Sequence, residues 1–372
     1  MRIGVPKEVK VHEYRVGLVP ASVRELTSHG HEVFVQTGAA ERIGLMDEDY
    51  RRVGATVVPT AEDVFAAGEL IVKVKEPQAA ERAMLRQGQT LFTYLHLAPD
   101  PDQARDLMHS GVTAIAYETV TGARGGLPLL SPMSEVAGRM SIQAGAHCLE
   151  MEQGGRGMLL GGSAGVAPAN VVVVGGGVSG VNAVRMAIGL EAAVTCIDIN
   201  IERLYALDQQ FGASVNTIFS TRQAIEDYVL QADLVVGAVL VPGAAAPKLI
   251  PETLVKAMKR GSVIVDISID QGGFSETSKP TTHTNPTYVM HGVVHYCVAN
   301  MPGAVARTST FALNNATLPF VLALANKGTV AALRSDPHLL AGLNVYEGQI
   351  TYAAVAEALG LKFVDPLRIL GH

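Results

Sequence analysis

Short apolar runs separated by amphipathic stretches set the rhythm of the 372-residue chain. Arg2–Val5 reads as a first strand, a polar loop continues through Lys7 to Arg15, and Pro20 opens a helix with Val23 and Leu26 on one side. Residues 31–36 read as the next strand. Residues 70–75 (stopped by Pro77), 89–97 and 112–117 read as further strands, with a helix over 102–109 among them. Strands alternating with helices predict a parallel sheet covered by helices on both faces.

Ser131-Pro132 then signals a helix start, serine as N-cap and proline at the first helical position, and this helix runs to about Glu152. Its small residues Ala137, Gly138, Ser141, Ala144 and Gly145 would let another backbone come close. A glycine-rich loop spans 154–165. The alternation then restarts, with strands at 171–174, 194–197, 234–236, 263–267 and 293–298. A long uncharged helix from about Ser309 follows, and the remainder reads as helical. Two doubly wound α/β domains are expected, one over 131–305 inserted into another built from 1–130 and 306–372.

The turn after the β-branched strand 171–174 carries the first chemistry: Gly175-Gly176-Gly177-Val178-Ser179-Gly180, followed by a helix from about Val181. Gly175 permits the tight turn, Gly177 lets the backbone approach a pyrophosphate, and Gly180 lets the helix pack on the strand. The amides and dipole of the helix start then face the phosphates. The glycines alone are weak evidence. The next strand, however, ends at Asp198, eighteen residues beyond Gly180, where a carboxylate can accept hydrogen bonds from ribose hydroxyls and would repel a 2′-phosphate. NAD is therefore favoured over NADP, and the nearest following base, Arg203, weakens the NADP case without removing it. The domain 131–305 is read as a Rossmann domain that binds NAD, and the discontinuous, equally Rossmann-like one as the substrate/catalytic domain.

Open α/β sheets bind ligands beyond the carboxyl ends of their strands. Lys75 and His96 are read as ending their strands, Asp270 follows 263–267 just ahead of Gln271-Gly272-Gly273, and Arg15 lies in the first loop. A guanidinium grips a carboxylate at two points, an ammonium polarises a carbonyl oxygen, an imidazole moves a proton, and a carboxylate holds an ammonium. These types suit oxidation or reduction at the carbon of a small amino or keto acid. On spacing alone each also has an ordinary reading: Lys73 and Lys75 as solvated strand-end lysines, His96 as a surface or core histidine, Asp270 as a turn aspartate, Arg15 as an exposed arginine. The residues by themselves reach an NAD enzyme with a basic pocket.

Ordered blocks along nearly the whole chain carry a resemblance. They include Gly4-Val5-Pro6-Lys7-Glu8, Glu13-Tyr14-Arg15-Val16, Val72-Lys73-Val74-Lys75-Glu76-Pro77, Tyr94-Leu95-His96-Leu97-Ala98 and Ser131-Pro132-Met133-Ser134-Glu135-Val136-Ala137-Gly138. Downstream come Asp266-Ile267-Ser268-Ile269-Asp270-Gln271-Gly272-Gly273 and Ala299-Asn300-Met301-Pro302-Gly303-Ala304. The chain resembles the alanine dehydrogenase and pyridine nucleotide transhydrogenase family. The resemblance implies reversible NAD-dependent oxidation of L-alanine to pyruvate and ammonium. It implies Arg15 on the substrate carboxylate, Lys75 on the carbonyl oxygen, His96 as general acid/base, Asp270 at the amine and nicotinamide side, and Asn300 as a further substrate neighbour. For the cofactor it adds Ser134, Ser220, Val239, Leu240, Lys279, Ile267, Ser268 and Ile269 to Val178, Asp198 and Arg203, with Val298, Ala299, Asn300 and Met301 along the nicotinamide. It also implies a homohexamer. Rival readings are the NAD-binding subunit of proton-pumping transhydrogenase, another amino-acid dehydrogenase such as the lysine-forming saccharopine type, and a non-catalytic NAD module. Lys75 and His96, which only a substrate pocket needs, weigh against the first.

Composition narrows the partners. Hydrophobic residues make up 48% and charged residues 17%, enough to bury large cores. The formal net charge of -6, with no basic block, speaks against nucleic acid and anionic membranes. Two uncharged stretches, 157–184 and 308–326, are broken by glycines, asparagines, threonines and prolines, so both are read as buried in protein and no membrane is expected. Cys148, Cys196 and Cys297 are scattered and form no CxxC, which fits a reducing cytosol without disulfides or zinc. The start lacks the apolar core of a signal peptide, so a cytoplasmic location is expected. The helix 309–326 offers no acidic-plus-histidine pair, and no metal is expected.

Overall fold

The alternation resolves into two sheets in a computed structural model that describes residues 1–239 and 246–371. Among the described residues the strands are β1 (Arg2–Val5), β2 (Glu32–Gln36), β3 (Thr56–Val58), β4 (Leu70–Val72), β5 (Thr90–Thr93) and β6 (Thr113–Ala116). Next come β7 (Asn170–Val174), β8 (Ala193–Asp198), β9 (Asn216–Phe219), β10 (Leu234–Gly237) and β11 (Val263–Asp266). The last are β12 (Thr287–Met290), β13 (Val293–Tyr296), β14 (Leu343–Tyr346) and β15 (Gln349–Ile350). The chain divides into one unit of Met1–Met133 with Ala306–His372 and a second of Ser134–Val305.

The first unit's sheet has the order β15-β14-β6-β5-β4-β1-β2-β3, and the second's β12-β13-β11-β10-β7-β8-β9. In both, the chain moves outward from a central strand and then crosses back to its other side. This places a topological switch point between β1 and β4 in one unit and between β7 and β10 in the other, where open α/β sheets leave room for a ligand. The valines of β7 show why the fold closes. Val171 and Val173 join Ile142, Ala183, Val184 and Ala187 in one core, and Val172 and Val174 join Ile225, Val229, Leu254 and Val255 in another. Side chains alternate across a strand, so an unbroken apolar run needs helices on both faces. In the first unit Ile71, Leu91 and Ala114 meet Ala104 and Leu107 of the helix Pro101–Ser110.

Several details depart from the sequence reading. Both sheets are mixed rather than parallel: β12 runs antiparallel to β13, β14 to β6, and β15 to β14. The tail is thus not all helical. β4 stops at Val72 and β5 at Thr93, so Lys75 and His96 each lie three residues past a strand end. The helix after the glycine turn begins at Val178 rather than Val181, and Ile267 opens a 3-10 turn instead of closing β11. Helix Ser131–Cys148 ends short of Glu152, and the Ser131 hydroxyl donates to the Leu127 carbonyl rather than capping. Lys73 is fully buried, not solvated. Leu240 lies outside the described residues.

Among the described residues no single helix is long and apolar enough to cross a membrane. The helix Ala306–Lys327, charged only at Arg307 and Lys327, instead uses its polar groups inside the first unit. Asn314 is buried. Its Oδ1 accepts from the Val19 amide (2.8 Å) and the Ser22 hydroxyl (3.1 Å), and its Nδ2 donates to the Thr310 carbonyl (3.1 Å). This one side chain ties the loop after β1 to a helix some 290 residues later. Asn314→Leu keeps the shape and orphans the buried Val19 amide. It should cost about 1–3 kcal/mol, read as a lowered urea midpoint at fixed protein concentration.

Candidate active site

In the first unit the loop after β1 and the segment after β4 meet at the switch point. A Cβ on Gly17 would stand 2.3 Å from the Val72 carbonyl oxygen, so only glycine lets the loop pass there. Two residues earlier, Arg15 is 2% exposed. Its Nε and Nη2 donate to the two carboxylate oxygens of Glu13 at 2.7 and 2.6 Å, and its Nη1 lies 3.1 Å from Sδ of Met133. Burial works against the guanidinium charge, but the Glu13 bonds outweigh it and hold its pKa above the ordinary value. A two-point grip through the Nε–Nη2 edge is therefore closed to a second carboxylate.

The segment after β4 holds two lysines in opposite settings. Lys73 donates to Glu81 (2.6 Å) and Glu8 (3.3 Å), with all three side chains buried. Burial opposes its charge and the two carboxylates more than restore it, so its pKa is raised; burial also pushes Glu8 upward. Lys75 is half-buried, and among the described residues its ammonium enters no ion pair or hydrogen bond. After β5, His96 takes a left-handed backbone conformation (φ 49) that costs a non-glycine residue roughly 1 kcal/mol or more. Glu118 offsets this. Its carboxylate accepts the amides of Leu95 (3.2 Å) and His96 (2.6 Å) and lies 3.8 Å from the His96 Nδ1. The ring stacks parallel to Tyr94, whose hydroxyl donates to the Leu129 carbonyl.

In the second unit the glycine turn has the geometry its sequence calls for. Gly175 has φ +98, and a Cβ there would come within 2.6 Å of the Ala238 carbonyl oxygen, which follows the switch-point partner β10. A Cβ on Gly180 would lie 1.8 Å from the Gly175 carbonyl oxygen. Gly177 is exposed and caps the helix Val178–Gly189 without a side-chain bond; a Cβ there would meet no atom within 4 Å. The open space and uncapped amides of Val178, Ser179 and Gly180 fit an anion. Gly138 of helix Ser131–Cys148 packs on the same turn: a Cβ would sit 2.0 Å from the Ser179 carbonyl oxygen. Ser134 lies half-buried one turn before it.

Asp198 at the end of β8 accepts the Gly176 amide (2.5 Å) and the Asn200 amide (2.7 Å), and Arg203 donates through Nε to the Gly176 carbonyl. The half-buried Ser220 donates its amide to the Asp198 carbonyl. Past β10 and β11, Ser268 donates its hydroxyl to the Val239 carbonyl (2.7 Å), joining those loops; Ile267–Gln271 form a 3-10 turn with Asp270 exposed. Asp266, fully buried, holds the far side of that turn. Its Oδ2 accepts the Phe274 amide (3.0 Å) and the Ser278 hydroxyl (2.5 Å), and its Oδ1 has no partner. Burial pushes its carboxyl up to about 6. Lys279 is exposed, with its amide on Tyr288. Val298 and Met301 are buried, Ala299 is exposed, and Asn300 takes a left-handed conformation (φ 64) with its carbonyl accepting the Gly303 amide.

Each unit thus gathers its own candidates: Arg15, Lys75 and His96 in the first, the glycine turn, Asp198, Arg203 and the loops after β10 and β11 in the second. The sequence reading left out Glu8, Glu13, Glu81, Glu118 and Asp266. Only Glu13, two residues before Arg15, carried a local signal. Among the described residues no group of three or more His, Cys, Asp or Glu could hold a metal ion.

The family model "Alanine dehydrogenase/PNT, N-terminal domain" matches residues 4–137, and "Alanine dehydrogenase/PNT, C-terminal domain" matches residues 141–353. The alanine dehydrogenase of Halomonas elongata is 59% identical over 371 residues, covering 100% of both chains. That of Bacillus subtilis is 54% identical, covering 100% of this chain and 98% of its own. A solved L-alanine dehydrogenase superposes with a TM-score of 0.94 at 53% identity, over 97% of this chain and 99% of that one. A transhydrogenase from Sinorhizobium meliloti shares the fold, with a TM-score of 0.82 at 24% identity over 94% of this chain and 100% of its own. Two family models spanning nearly the whole length, with relatives identical at more than half of all positions, place this chain in the alanine dehydrogenase/PNT family.

Proposed function

We propose that this chain catalyses the reversible oxidative deamination of L-alanine to pyruvate and ammonium, with NAD as the hydride acceptor. The observation that carries this reading is the full-length identity of 59% to an alanine dehydrogenase. The transhydrogenase alternative finds a likeness of fold alone. NAD fits the second unit on two counts: the open space at Gly177 and the carboxylate of Asp198 one strand away. The pyrophosphate would lie on Gly175 to Gly180, the adenosine ribose at Asp198 beside Arg203 and Ser220, and the nicotinamide along Ile267 to Asp270, Lys279 and 298–301. Ser134 and Val239 would complete the cofactor's surroundings. Bound there, the cofactor would supply a hydride acceptor for oxidation at the α-carbon of alanine and, reduced, a hydride donor for the reverse reaction.

The chain's own residues do the remaining work. Glu13 holds the Arg15 guanidinium through two hydrogen bonds, and Arg15 binds the substrate carboxylate. Lys75 polarises the carbonyl oxygen of pyruvate. His96, held by Glu118, moves the proton that the oxygen gains or loses. Asp270 attends the ammonium, with Asn300 near the substrate. The family resemblance further supports a cytoplasmic homohexamer.

Asp266 anchors the turn that carries Asp270, and its titration has a definite sign. Its folded value of about 6 lies above the ordinary 3.8, so between those values the folded chain keeps a proton that the unfolded chain has released. Stability from this group is present below about 4 and is lost as pH rises to about 6.

Mixing the protein with NADH, pyruvate and ammonium should bleach the nucleotide absorbance; intact NAD binding without turnover would sink the alanine reading. His96→Ala should lower turnover by roughly two to four orders of magnitude with NADH affinity unchanged, and near-normal turnover removes His96 from the mechanism. Asp266→Asn mimics the protonated acid. Relative to wild type it should gain up to about 3 kcal/mol of unfolding stability between pH 4 and 7, followed by denaturant titration; parallel pH curves for the two proteins would refute the assignment.

A further inference from the structure

The buried ammonium of Lys73 sits inside a closed circuit of bonds around the residue two places on. Glu8 Oε2 takes a hydrogen bond from Lys73, while Glu8 Oε1 accepts the amides of Val74 (2.7 Å) and Lys75 (3.4 Å). On the other side Lys73 donates to Glu81 Oε1, and Glu81 Oε2 accepts the amide of Gln78 (2.8 Å). The carbonyl of Lys75 accepts the Thr93 hydroxyl (2.9 Å), and that of Val74 the Tyr94 amide (3.2 Å). β4 has ended at Val72, so none of these groups has a complete ladder of its own. The backbone of Lys75 is therefore gripped at both its amide and its carbonyl, while its ammonium has no hydrogen bond or ion pair among the described residues.

This is more than burial requires. A buried lysine needs one carboxylate, and replacing such a cluster by apolar residues is often neutral or stabilising. Here two carboxylates share one ammonium, and both spend their second oxygen on backbone amides of the same short segment. Glu8 also follows β1 directly, so it links the two strands that flank the switch point.

We infer that Glu8 is a positioning residue for substrate binding: it fixes the backbone of Lys75, with Lys73 and Glu81 as the counter-charges that keep its carboxylate in place. The inference rests on the reading of Lys75 as a substrate ligand. Glu8→Asp keeps the charge beside Lys73 but withdraws the carboxylate by one methylene from the Val74 and Lys75 amides. It should raise the KM for pyruvate roughly tenfold, the weight of one charge-assisted hydrogen bond, and leave the KM for NADH within twofold; a merely structural role would lower the active fraction or Tm and leave the pyruvate KM alone. The double-mutant cycle with Lys75→Ala decides. In the Lys75→Ala background, Glu8→Asp should add less than a twofold further change in pyruvate kcat/KM. If Lys75→Ala is impaired and the two effects multiply, Glu8 does not act through Lys75 and the inference fails by itself. If Lys75→Ala has normal pyruvate kinetics, the reading of Lys75 falls and takes the inference with it. Should Glu8→Asp not fold, the same cycle with Glu8→Gln, which keeps one acceptor oxygen's reach and loses the charge, is read in the same way.

Discussion

A strand that stops leaves backbone amides without ladder partners, and inside a protein those amides must be satisfied by something else. In this chain the task falls repeatedly to carboxylates placed at the carboxyl ends of the sheets. Glu8 takes the amides after β4, Glu118 those after β5, Asp198 the amide of Gly176 after β7, and Asp266 that of Phe274 beyond β11. Each of these acids sits beside a candidate site residue. The same loops that must be irregular to present side chains to a ligand are thus held by short, charge-assisted bonds. Rigidity of the site and satisfaction of the backbone are one requirement.

The arrangement also sets the electrostatics. Glu8 shares the buried cation Lys73 with Glu81, and the buried Arg15 is matched by Glu13. Among the described residues, the Lys75 ammonium has no carboxylate at hydrogen-bond distance. Removing a partner from a buried pair is far more damaging than never having had the pair, so these clusters resist piecemeal change even where their sum contributes little to stability.

What could be read in advance follows from the range of the interactions involved. The glycine turn was legible because its constraints are local: Gly180 faces the carbonyl of Gly175, five residues away, and a hydrophobic period announces the strand before it. The valines of β7 likewise declared a strand buried on both faces. Lys73 and Lys75 could not be told apart, because their difference lies in Glu8, some 65 residues upstream. Glu118 and Asp266 were invisible for the same reason, their role being to receive amides from a loop the sequence does not tie to them. β14 and β15 escaped notice because strands of four and two residues carry too few positions to show a period. The early end of β4 and β5 was a boundary effect, where apolar residues continue past the last ladder bond.

The pairing of β14 with β6 joins residues 343–346 to 113–116, whereas Ser134–Val305 is one unbroken stretch. On the ribosome the order of completion is therefore inverted. The second unit has all its strands as soon as residue 305 has left the exit tunnel, while the first, begun earlier, waits with the edge of β6 open until β14 emerges. An unpaired strand edge is the surface on which nascent chains stick to one another. The interval between residues 116 and 343 is the time in which this chain most needs shielding during its synthesis.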